Sequence, residues 1–88
     1  MPYIKPEMRK KYQPILDSIE AAFVDGVTPG ELNYLISKIC LTYVTRKGLS
    51  YTFLNDIMGV LSSCSKEFYR RVVAPYENEK VIQNGDCF

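Results

Sequence analysis

Apolar residues recur along this chain at the spacing of a helix face. Ile15, Leu16, Ile19, Ala22 and Phe23 form the first series, just after Pro14, which suits an opening helical turn because its missing N–H is an orphan there anyway. Asp25-Gly26 closes the series, with Gly26 free to take the left-handed cap conformation. A helix is predicted over 14–25, preceded at 1–13 by a short N-terminal arm or one helical turn that opens with two prolines and carries the charged run Glu7-Met8-Arg9-Lys10-Lys11. A second series, Leu32, Leu35, Ile36, Ile39, Cys40 and Tyr43, follows the sharpest start signal in the chain. Thr28 reads as the N-cap, Pro29 as the first helical residue and Glu31 as the third, the pattern of a capping box. Arg46 and Lys47 sit where the helix dipole favours cations, and Gly48 terminates, so a helix is predicted over 29–47.

The third helix is predicted over 51–73. Phe53, Ile57, Val60, Cys64, Phe68 and Val72 make one apolar stripe, and Leu54, Met58 and Leu61 make a second beside it. Together they are wider than one helix of a small bundle needs, which points to burial on two sides and so to self-association. Pro75 lacks an N–H, and its ring clashes with the carbonyl of Arg71, so the helix stops or kinks there. A short helix over 75–83 and a tail at 84–88, opening with the turn Asn84-Gly85-Asp86, complete the chain. The fold class is therefore all-α: one domain over 1–88, three main helices and a short fourth, assembled as a homo-oligomer.

Composition narrows the function classes. At 88 residues the chain holds one core at most. Eleven Lys and Arg against ten Asp and Glu leave a net charge of +1, so no global basic field calls for a nucleic-acid polymer. Histidine is absent, which removes the commonest general base and zinc ligand. No carboxylate cluster has calcium-loop spacing, so neither metal nor cofactor is implied, and a non-enzyme is expected. No apolar run reaches membrane-span length and the start is no signal peptide, so a cytoplasmic location is expected. Cys40, Cys64 and Cys87 form no Cys-x-x-Cys pair; the expectation is two buried thiols and one near the C-terminus.

The densest polar and aromatic stretch runs from Lys66 to Glu77. Arg70 and Arg71 offer planar forks suited to phosphate, while Tyr69 and Tyr76 offer rings to stack on a base. Asn84 and Asp86 are the next candidates, as partners for ribose hydroxyls. Against this, Arg70 and Arg71 lie three and four residues after Glu67, the spacing of ordinary surface pairs. Two further polar lines carry the same ambiguity between helix packing and ligand contact. One is Asn55, Gly59, Ser62, Ser63 and Lys66, where a mid-helix glycine costs about 1 kcal/mol; the other is Asn33, Tyr34, Ser37 and Lys38.

Several stretches together resemble a family of short proteins of bacteriophages and bacteria described as a domain of unknown function. They are Met1-Pro2-Tyr3-Ile4-Lys5, Pro29-Gly30-Glu31-Leu32-Asn33-Tyr34, Lys47-Gly48-Leu49-Ser50-Tyr51, and most specifically Glu67-Phe68-Tyr69-Arg70-Arg71-Val72-Val73-Ala74-Pro75-Tyr76-Glu77 with Asn84-Gly85-Asp86. The resemblance covers nearly the whole chain and implies a phage-related source, but no activity. By analogy of size and self-association alone, it brings to mind phage proteins that sequester host immune nucleotides such as cyclic ADP-ribose isomers or cyclic dinucleotides. The leading expectation is a binding protein for a small anionic nucleotide, with Tyr69, Arg70, Arg71, Tyr76, Asn84 and Asp86 as the ligand-binding residues. The alternative is a protein–protein interaction module, an inhibitor or adaptor of a host protein, and behind it a DNA-binding accessory protein.

Overall fold

A computed structural model describes residues 2–88; Met1, the first residue of the expected arm, lies outside the described residues. The fold is the all-α small bundle that the periodicity predicts, with no strand among the described residues. Its elements are α1 (Pro6–Arg9), a 3-10 turn (Lys10–Tyr12), α2 (Gln13–Phe23), α3 (Pro29–Lys47), α4 (Tyr51–Phe68), a wide π turn (Tyr69–Val73) and α5 (Ala74–Asn84). The stretch before α2 carries a helical turn. Pro6 occupies an opening helical position and Glu7 lies in the first turn, where both are favoured, and the Arg9 Nε–H donates to the Ile4 carbonyl at 3.1 Å.

Residues group into two units, Tyr3–Leu54 and Asn55–Phe88. In the first, the start of α3 is built as its sequence dictates. Thr28 is extended, its hydroxyl accepts the Glu31 N–H at 3.2 Å, and the same hydroxyl donates to Glu31 Oε1 at 3.0 Å. At the other end Gly48 takes φ +100°, a conformation strained for any residue with a Cβ, and its N–H returns to the Val44 carbonyl at 2.8 Å. Just beyond, the rings of Tyr43 and Phe53 meet edge to face with centroids 6.5 Å apart, and Lys47 Nζ lies 5.8 Å from each ring centre. This aromatic pair ties the end of α3 to the start of α4.

In the second unit, helical hydrogen bonding carries on through Pro75, which neither ends the helix nor separates two. The physical reason is the π turn. The Ala74 N–H bonds back five residues to the Tyr69 carbonyl, and Pro75 follows directly in the first turn of α5. Widening the turn removes the clash that a regular α-turn would force between the proline ring and the Arg71 carbonyl.

Little of the apolar surface is covered. Val44, 8% exposed, is the one buried hydrophobic residue among those described. Ile19, Phe23, Leu35, Cys40, Phe53 and Ile57 are half-buried. The two stripes of α4 stay largely open: Met58 is 66% exposed and Phe68 61%. Cys64 is exposed too, which corrects the expectation of two buried thiols, since only Cys40 is partly covered. Outside its own helix turn, no described residue lies within 4 Å of the Cβ position at Gly59.

The Thr28 cap is local and fully formed. Thr28→Ala is expected to lower the unfolding free energy by about 1 kcal/mol, read as a lower urea midpoint at unchanged slope.

Candidate functional site

Tyr69, Arg70 and Arg71 all lie on the π turn, and Tyr76 lies just past Pro75 on α5. The turn sets their relations. In a regular α-helix, residues eight apart are separated by about 12 Å along the axis. Here, across the wider turn, the Tyr69 hydroxyl donates to Glu77 Oε1 at 2.7 Å. This hydrogen bond, and after it the negative charge of Glu77, hold the Tyr69 phenol above its ordinary pKa of 10.0. The bond straps the helix across the proline. Glu77 is the partner that sequence spacing does not reveal, because side-chain pairs along a helix are read at three and four residues apart, not eight.

Arg70 is committed as well. It forms an ion pair with Glu67, with the Nε–H donating to Glu67 Oε1 at 3.0 Å, and Glu67 is the better covered of the two side chains. The i,i+3 surface pair foreseen as the plain alternative is thus formed, which leaves Arg70 charge-neutralised on one side. Arg71 is exposed, with no hydrogen bond or ion pair among the described residues. The Tyr76 ring is 59% exposed, with Lys80 Nζ at 5.4 Å from its centre. Arg71 and Tyr76 are therefore the members of the set left open to a ligand.

Asn84 and Asp86 lie apart from this group. Asn84 ends α5, about 20 Å along the axis from Arg70. Gly85 follows at φ +83°, and Asp86 Oδ1 accepts the Phe88 N–H at 2.8 Å. A shallow hollow of about 230 Å³ opens here between Glu77, Lys80, Val81, Asn84 and the tail through Phe88. Its charged lining is Glu77 and Asp86 against Lys80, and Lys80 Nζ also donates to Gln83 Oε1 at 3.3 Å. Such a lining repels phosphate and offers acceptors to hydroxyl groups.

A larger open hollow, about 400 Å³, lies along the first unit's α3 between Lys38, Leu41, Thr42, Thr45 and Arg46. Sequence reasoning did not single it out, although two cations eight residues apart with threonines between them mark one helix face. The Thr42 hydroxyl donates to the Lys38 carbonyl at 2.8 Å, which leaves the two cations as the main handles for an anion. The neighbouring polar line on α3 is satisfied within itself: Ser37 donates to Asn33 Oδ1 at 3.2 Å, and Lys38 Nζ lies 5.7 Å from the Tyr34 ring centre. Among the described residues no group of three or more His, Cys, Asp or Glu could hold a metal ion, and no helix is long and apolar enough to cross a membrane.

The raised Tyr69 pKa fixes the sign of a pH effect. The strap contributes fully below the ordinary tyrosine pKa and is lost as pH rises through the raised one. In a titration followed through the Tyr69 ring signals by NMR, Tyr69 is expected to ionise above the ordinary tyrosine pKa of 10.0. Glu77→Gln is expected to bring its pKa back toward 10.0, because the charge that opposes phenolate is gone. Pro75→Ala is expected to do the same by letting the turn tighten.

No curated protein and no solved structure matches this chain. A family model does match, over residues 1–87. With nearly its whole length covered, the chain belongs to the family described as the domain of unknown function DUF6899.

Proposed function

We propose that the protein is a non-enzymatic interaction module whose helices work by presenting apolar faces to another protein surface. One observation carries this reading. Val44 alone is buried among the described hydrophobic residues, while large apolar side chains on α2, α3, α4 and α5 stand open. Monomers rarely leave such surface uncovered, and where they do it marks an interaction site. The absence of histidine and the pairing of Arg70 and Tyr69 with carboxylates favour binding over catalysis.

The test joins mass to hydrogen exchange on the purified full-length protein. Amides at the centre of α3 are expected to exchange slowly only in a species heavier than one chain, because only a partner surface covers them. Slow exchange at the mass of one chain would mean the chain covers its own faces and would overturn the reading.

Sequestration of a small anionic nucleotide, in a phage-related homo-oligomer acting in the host cytoplasm, is the second reading. The exposed Arg71 fork and Tyr76 ring favour it. Tyr69 and Arg70 contribute only if they exchange their carboxylate partners for the ligand, and Asn84 and Asp86 only from a neighbouring copy or an extended ligand. Arg71→Ala is expected to abolish uptake of cyclic dinucleotides and cyclic ADP-ribose-like compounds in native mass spectrometry while leaving Tm unchanged. Wild-type protein that takes up none of these compounds would end this reading.

A further inference from the structure

Resting on the interaction reading above, we infer that the first partner is a second copy of this chain, docked antiparallel along α3 through Leu32, Ile36, Ile39 and Tyr43. The exposed face argues first: within the first unit, α3 leaves Leu32, Ile36, Ile39 and Tyr43 exposed along one side. A chain with so little core of its own also needs its partner wherever it is made, and the copy is always present. A net charge of +1 per chain sets little repulsion against the pairing.

The pattern on α3 then selects the seam. Leu32, Ile36, Ile39 and Tyr43 follow one another at spacings of four, three and four residues, the rhythm of paired helices, and each is exposed, Ile39 at 60%. A two-fold axis between Ser37 and Lys38 sets Ile36 against Ile39 of the other copy and Leu32 against Tyr43. The ends are complementary in this direction. Glu31 lies in the first turn of α3, and Arg46 and Lys47 lie in the last, so each acidic end meets a basic one and the helix dipoles oppose. A parallel pairing would set like ends together. The seam is the core of the interface.

The experiment is light scattering on the full-length protein with two variants. Wild type is expected at an integral multiple of 10.1 kDa, with a Tm that rises with concentration. Ile39→Glu is expected to lower the mass. Leu41→Glu, on the opposite face of α3 and itself 56% exposed, is expected to keep the wild-type mass. Should Ile39→Glu also unfold, isotope-filtered NMR on a mixed labelled and unlabelled sample decides. Contacts between Ile36 methyls of one copy and Ile39 methyls of the other support the seam, and a multimer without them overturns it. Wild-type protein at the mass of one chain throughout overturns the second copy as partner. The interaction reading then still stands if α3 exchanges fast and falls if α3 exchanges slowly.

Discussion

A helix holds its own hydrogen bonds, but it is stable only when its apolar stripe is removed from water, and isolated helices of this length are marginal. That requirement governs this protein. α3 has a formed N-cap, a glycine stop and cations in its last turn, yet of all its apolar side chains only Val44 reaches the interior. The Tyr43–Phe53 pair, with Lys47 beside both rings, organises the α3–α4 turn. One buried valine, one aromatic pair and a few half-buried side chains leave most of each apolar stripe in water. The missing burial has to come from another surface, and the functional and assembly readings both grow from this deficit.

The second local constraint is Pro75. A proline inside a helix normally costs about 3 kcal/mol or more through a lost bond and a clash. Here the π turn over Tyr69–Val73 relieves the clash, and the Tyr69–Glu77 bond closes across it. One consequence is chemical. The same geometry that rescues the helix engages Tyr69, while Arg70 pairs with Glu67 one turn earlier. The candidate ligand residues are thereby divided. Arg71 and Tyr76 stay available, Tyr69 and Arg70 face carboxylates, and Asn84 and Asp86 sit at the far end of α5 in a hollow with more acid than base.

Local signals were the legible part of the fold. Thr28, Pro29 and Glu31 announce the start of α3 because a cap is built from residues within one turn, and Gly48 announces its end because the required φ excludes side chains. The apolar periodicity marked each long helix for the same short-range reason. Burial was less legible. Cys64 sits in a clean apolar stripe, but a stripe states only which face seeks cover, and Cys64 stands exposed. The π turn and the Glu77 partner of Tyr69 were not legible, since helical side-chain pairs are expected three and four residues apart and this one spans eight.

By itself, then, the sequence determined that the protein is all-α, where α3 begins and ends, and which faces are apolar, because capping, proline, glycine and side-chain spacing act within a turn or two. Only the tertiary structure decided that Pro75 is bridged, that Arg70 and Tyr69 are spoken for by Glu67 and Glu77, and that the apolar faces remain open. Those outcomes depend on which groups lie next to one another in space, and that is set by backbone geometry and by packing between helices, whose partners a linear pattern does not name.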